Sequence, residues 1–283
     1  MRRFVGLTAL LLFVIAPFGF SDAPLPNPVK PDFNSPRPID AVDTVFITDM
    51  TWMEVRDAMK AGKKTVIIAT GGIEQNGPYL VADKHNIVLR GTTEAIARKL
   101  GNALVGPIIP FVPEGAIDPA DSHMLYPSTV GLTEGTFRLL VSEICTCYRS
   151  HGFETIILIG DSGGNQDGMK AVAEQLNAAW KDGKTRLYFI PEYYNYAGIG
   201  AWLESQGIKQ RDEGLHDDFG MTAQMLSLDP KSVRMKERIA AKKFKINGIE
   251  LAPIEKTIAI GKQIIDYRAE ITVKALKAQM KAR

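Results

Sequence analysis

Thr65-Val66-Ile67-Ile68-Ala69-Thr70-Gly71-Gly72-Ile73-Glu74-Gln75-Asn76-Gly77-Pro78-Tyr79 is the stretch whose reading decides the fold. Its first six residues are an unbroken run of β-formers, the pattern of a strand buried on both faces of a parallel sheet. The chain then breaks into Gly and Pro with a carboxylate and two amides. It continues through Asp83-Lys84-His85-Asn86 to a helix-forming stretch that opens at Thr92-Thr93-Glu94. A strand ending in a polar, glycine-rich loop before a helix is where open α/β sheets keep their ligands.

Outward from this unit, the pattern recurs. Residues 155–159 form a second buried apolar run that leads into Gly160-Asp161-Ser162-Gly163-Gly164-Asn165, followed by a helical stretch at 166–180. Residues 103–112 read as a strand pinned by Pro107, Pro110 and Pro113, and residues 186–190 as a fourth strand. Helical spacing predicts helices over 50–61, 93–100, 134–149, 199–206, 221–228 and 253–281. Strands alternating with helices, with no internal repeat and no linker, predict one doubly wound α/β domain over residues 46–283. Residues 22–45, rich in Pro and Asp, read as an extended leader to it.

At 283 residues, 45% hydrophobic and 23% charged, the composition is that of a soluble globular protein. Arg2-Arg3, the apolar run from Phe4 to Ala16, and the small residues Gly19 and Ser21 read as a signal peptide over 1–21, cleaved after Ser21. An uncleaved anchor is the rival reading of the same pattern. Export to a bacterial periplasm is the expectation, with no membrane association after cleavage. Loss of the two arginines takes the formal charge from +2 to about zero. No basic stripe remains to suggest nucleic acid, and the basic tail at 274–283 lies on a helical pattern and reads as a solvated face. Cys145 and Cys147, two apart on a predicted helix, point in different directions and cannot bridge.

The chemistry-bearing residues fall in the loops after the buried strands. Glu74 follows one strand and Asp161 another, and with His85 and His216 they make a carboxylate and imidazole set suited to Zn²⁺ or Mn²⁺. Glu74 also reads as a structural carboxylate taking backbone N–H bonds, and His85 as a loop histidine that only hydrogen-bonds. Ser162, on a strand-to-helix turn, is a candidate nucleophile with His216 as its base. Tyr193, Tyr194 and Tyr196 read either as pocket wall or as aromatic core, and His123 as a pocket or a surface residue.

Four blocks in order resemble the creatininase (creatinine amidohydrolase) family. Glu74-Gln75-Asn76-Gly77-Pro78-Tyr79-Leu80 is similar to its Glu-Gln-His-Gly-Pro-His-Leu, and Ser122-His123 through Tyr126-Pro127-Ser128-Thr129 to its His-x-x-Phe-Pro-Gly-Thr. Gly152-Phe153 through Gly163-Gly164-Asn165 resembles its Asn-Gly-His-Gly-Gly-Asn loop, and His216 with Thr222, Leu226 and Pro230 its last block. The resemblance runs from Trp52 to about Val233. It implies a three-layer α/β/α sandwich with a mostly parallel sheet, a metal centre at the strand ends, and a homo-oligomer, often a hexamer.

The departures change the expected site. The family's glutamate ligand matches Glu74, but a ligand histidine falls on Asn76, the bridging aspartate on His85, a histidine on Ser162 and a carboxylate on Gly164. Two acidic positions fall on Phe219 and Met221. The resemblance therefore implies one divalent ion per chain, zinc or manganese, held by Glu74, His85 and Asp161, with His216 passing a proton to the leaving amine. Gly163 and Gly164 would steady the oxyanion, and Asn76, Tyr79, His123, Asn165 and Tyr194 would face the substrate, a small cyclic or linear non-peptide amide. The rival expectation is an exported binding or scaffold protein that keeps the fold without the chemistry, which Phe219 and Met221 favour.

Overall fold

In the computed structural model, residues 32–282 are described except 212, 214 and 215. The signal-peptide assignment, and the leader as far as residue 31, lie outside the described residues. Residues 32–40 are turns and bends, and residues 41–283 form a separate compact unit that carries the sheet.

That unit begins with helix α1 (Trp52–Lys60) and strand β1 (Thr65–Thr70), then α2 (Lys84–Leu100) and β2 (Ala103–Val105). Helix α3 (Glu134–Ser150) leads to β3 (Thr155–Gly160), and α4 (Gln166–Ala179) to β4 (Arg186–Phe189). Beyond these lie α5 (Tyr196–Ser205), α6 (Phe219–Leu228), α7 (Met235–Ala240), the two-stranded hairpin β5 (Lys245–Ile246) and β6 (Ile249–Glu250), and α8 (Ile254–Lys281).

The main sheet is wholly parallel in the order β2-β1-β3-β4. Alternation along each strand sorts its side chains onto two cores. Val66 and Ile68 of β1, with Ile156 and Leu158 of β3, pack on Phe137 and Val141 of α3 and on Met169 and Val172 of α4, with α1 at the margin. Ile67, Ala69, Ile157 and Ile159 face the other way, onto Leu89 and Ile96 of α2 and Ala269 and Val273 of α8. The result is the expected three-layer α/β/α sandwich. From β1 the chain crosses outward to β2 on one side, and from β3 to β4 on the other. The carboxyl ends of β1 and β3, paired as far as Thr70 and Gly160, therefore mark the switch point at which such sheets open a crevice.

Helix α6 wedges beside α8 through a very close approach at Gly261, where a Cβ would stand 2.0 Å from the Ala223 carbonyl oxygen. Two boundaries differ from the sequence reading. Helix α2 starts at Lys84 rather than near residue 93, because Ile87, Val88 and Gly91 weaken the helical signal while the burial of Val88 and Leu89 overrides it. Strand β2 stops at Val105, and residues 106–112 continue as isolated bridges, Ile109 to Thr70 and Val112 to Gly131, since prolines cannot donate to a ladder. The sequence reading also had no α7 and no β5–β6 hairpin.

Candidate functional site

At the switch point the loops after β1 and β3 leave side by side, tied by Asp161 N–H donating to the Thr70 carbonyl at 3.0 Å. Gly72, at φ +149°, turns the first loop inward, and a Cβ there would lie 2.1 Å from Glu114 Oε1. Two residues on, Glu74 enters the interior with 2% exposure. Its Oε1 is met by Lys84 Nζ at 3.0 Å, His85 Nε2 at 2.7 Å and His216 Nε2 at 2.8 Å, and its Oε2 by His123 Nε2 at 3.4 Å. Burial by itself would raise this carboxyl. The hydrogen bonds from His216 and His85 and the charge of Lys84 outweigh it and hold Glu74 far below the usual carboxylate range.

Starting α2 early is what brings Lys84 and His85 under Glu74. His85 turns its other nitrogen, Nδ1, to Asp161 Oδ2 at 2.9 Å. Burial and the Lys84 charge oppose the imidazolium, but the two carboxylates prevail and His85 titrates above its usual value. Asp161, fully buried, is paired with Arg268 of α8 and accepts from the Tyr196 hydroxyl at 3.3 Å. Burial would raise it, yet Arg268 and His85 hold it low. Arg268 is itself covered by the Tyr193 ring, 4.2 Å from the guanidinium carbon.

This geometry alters the expected ligand set. Glu74 and Asp161 stand on opposite nitrogens of one imidazole, and Asp161 is already clamped by Arg268, so Glu74, His85 and Asp161 form a hydrogen-bonded chain rather than a cage around one ion. Among the described residues, the group whose ligand atoms converge is Glu74, His123 and His216, all within 4.8 Å of one another. One carboxylate and two imidazoles suit Zn²⁺ or Mn²⁺. Three nitrogens crowd Glu74 Oε1, which has two lone pairs, and a cation held by Glu74 and His216 would take the place of the hydrogen bond between them. Lys84 and His85 then remain as the groups that orient the carboxylate from behind. The donor set fits a divalent ion.

The three donors share a cavity of about 390 Å³ whose wall also includes Pro113, Glu114, Ser122, Ser162, Gly163 and Tyr194. Gly164 and His85 line it as well. Among the described residues no hydrogen bond joins Ser162 to an imidazole, and His216 Nε2 is turned to Glu74 instead. The other residues expected to face substrate serve the scaffold. Asn76, 1% exposed, donates to the carbonyls of Glu74 and Val81. Asn165 donates to those of Thr70 and Gly71, and Tyr79 stacks under Arg238 at 4.5 Å. None of these three lines the cavity. His216 is placed by its neighbours: Asp218 caps α6 through Met221 N–H, and Asp217 pairs with Arg238.

Sequence reasoning passed over Lys84, Glu114 and Arg268. A signal existed for each. Lys84 adjoins the one histidine of its loop, and Glu114 is the lone charge in a Pro-rich apolar stretch. Arg268 stands on the apolar stripe of α8 between Ile264 and Thr272. Burial pushes the Glu114 carboxyl up to about 8, with the Glu74 charge adding to it.

The family model of creatininase (creatinine amidohydrolase) matches residues 48–270. No curated protein matches the sequence. Among solved structures, a crystal structure of creatinine amidohydrolase (creatininase) is similar at 18% identity, with TM-score 0.58, over 84% of this chain and 97% of that one. A manganese form of creatininase is similar at 18% identity and TM-score 0.56, over 84% and 98%. A putative creatinine amidohydrolase from Bacteroides fragilis has 16% identity and TM-score 0.56, over 82% and 96%.

Proposed function

The chain belongs to the creatininase family, and from that premise we propose that it is a metal-dependent amidohydrolase that cleaves a C–N bond in a small non-peptide amide, cyclic or linear. The observation that carries this reading is the convergence of Glu74, His123 and His216 on the wall of a cavity at the carboxyl edge of the parallel sheet. In this reading those three hold one divalent ion per chain, zinc or manganese, and His216 serves as a donor to it rather than as the proton carrier. A divalent ion there supplies Lewis acidity toward the substrate carbonyl and lowers the pKa of water.

The chain's own residues do the rest. Lys84 and His85 fix the Glu74 carboxylate, and the Asp161–Arg268 pair fixes His85, so the donors are held before substrate arrives. Gly163 and Gly164 line the cavity, and their N–H groups are assigned to the oxygen on which negative charge develops. Tyr194 and Pro113 contribute wall that displaces water from the substrate.

The test is the metal content of purified protein, followed by a screen of lactams and linear amides with and without added Zn²⁺ or Mn²⁺. Metal near one per chain and metal-dependent turnover support the reading. Protein that stays metal-free in excess zinc sinks it. One observation favours a second reading, a non-catalytic binding protein: Glu74 Oε1 already meets three nitrogens of its own chain, so its charge is balanced without an ion. Under that reading a chelator leaves the melting temperature unchanged.

The proposal extends to export with cleavage after Ser21, checked by the mass of the mature chain, and to a homo-oligomer, checked by light scattering.

A further inference from the structure

We propose that Glu114 is the residue that receives the N–H of the substrate amide, so that the site takes primary and secondary amides, lactams included, and rejects N-alkylated ones. The assignment rests on the amidohydrolase reading for the nature of the ligand, but the observations behind it are separate. Glu114 is 6% exposed, lines the cavity, and its Oε1 has no hydrogen-bond partner among the described residues. The other two buried carboxyl groups of the site are already engaged, Glu74 by Lys84, His85 and His216, and Asp161 by His85, Arg268 and Tyr196. Buried acceptors in folded proteins find donors, and one left unmet on a cavity wall marks a place where a ligand brings its own.

The fold makes room for this carboxyl. A side chain at Gly72 would collide with Glu114 Oε1, and the segment carrying it is pinned beside the cavity by the Val112–Gly131 bridge. The terminal torsion of a glutamate is broad and roughly two-fold, so a half-turn about it exchanges the two oxygens and brings Oε1 to the cavity side. An amide offers an acceptor and a donor side by side. Its carbonyl would suit an ion that Glu74, His123 and His216 could hold, and its N–H suits Glu114. A tertiary amide has no N–H and puts a methyl group against an unmet acceptor, the mismatch that hydrogen-bonding sites reject most strongly.

The test is a titration of the full chain, followed by ligand-observed NMR, with γ-butyrolactam and N-methyl-γ-butyrolactam, which share the carbonyl and differ at the N–H. The wild type is expected to bind the N–H lactam about tenfold more tightly, the scale of one hydrogen bond to the carbonyl oxygen of a neutral carboxyl group. Glu114→Leu removes that preference, and Glu114→Gln, which keeps an acceptor of similar reach, retains part of it. Equal binding of the two lactams by the wild type, or no saturable binding of γ-butyrolactam, overturns the assignment. This comparison needs no substitution, so it stands even where Glu114→Leu fails to fold. Hydrolysis separates the two readings. Turnover of amides without any N–H preference refutes the Glu114 contact alone. Discrimination between the lactams without turnover keeps the contact and refutes the hydrolase.

Discussion

Asp161 and Arg268 show what a single buried pair decides. Both are fully buried, and each is the other's counter-charge. Removing one leaves an uncompensated ion in the interior, a loss of about 3–5 kcal/mol. Asp161→Asn is therefore expected to lower the unfolding free energy read from urea denaturation by that amount, and a paired Asp161→Leu/Arg268→Met replacement to recover much of it. The pH dependence has a definite sign. Asp161 is held below its unfolded value, so the unfolded chain binds more protons across the gap, and stability falls as pH drops through the folded value. The wild type should lose stability on acidification below about pH 4, and Asp161→Asn should show a shallower slope there. His85, one contact away, carries the other residue-scale prediction. It touches Glu74 without belonging to the converging donor group, so His85→Ala should weaken zinc binding about 10–100-fold in a competition titration while the stoichiometry holds. Unchanged affinity would remove its orienting role.

At the scale of elements, the close crossing of α6 and α8 sets the position of His216. Asp218 starts α6, and His216 lies two residues before it, so a shift of this helix moves an imidazole out of reach of Glu74. Gly261 permits the crossing because backbone, not a side chain, lies opposite it. Backbone cannot swing aside as a leucine tip can. Gly261→Ala is thus expected to cost about 1–3 kcal/mol although alanine is the better helix former, and to reduce zinc affinity with it. A variant that melts at or above the wild-type temperature would show that the helices separate freely. Helix α2 makes a similar point: its first turn delivers Lys84 and His85, and its register is set by Val88 and Leu89 packing inward.

For the whole molecule, the site joins parts far apart in the chain, the loop after β1, the first turn of α2, the segment around His123, the loop after β3, and the approach to α6. A ligand that binds only the assembled arrangement stabilises all of it by mass action. Metal-loaded protein should accordingly melt several degrees higher than chelator-treated protein, with the difference growing as free zinc rises, and a flat response would remove the ion from the account.

The sequence by itself determined the architecture. Unbroken apolar runs at 65–70 and 155–159 can be satisfied only by burial on both faces, and the helices between them force a parallel sheet with its polar loops at one edge. It also marked Glu74, His123 and His216 as residues of interest. Only the tertiary structure decided which groups share a point in space. Asp161 and His85 looked like ligands because carboxylate and imidazole suit a metal, but a ligand set depends on where lone pairs point, and Arg268, more than a hundred residues from Asp161, had already taken that carboxylate. Burial decided the rest. Asn76 and Asn165 donate their amide N–H groups to loop carbonyls, and Glu114, unremarkable in a proline-rich stretch, keeps an acceptor on the cavity wall that nothing in the described chain fills.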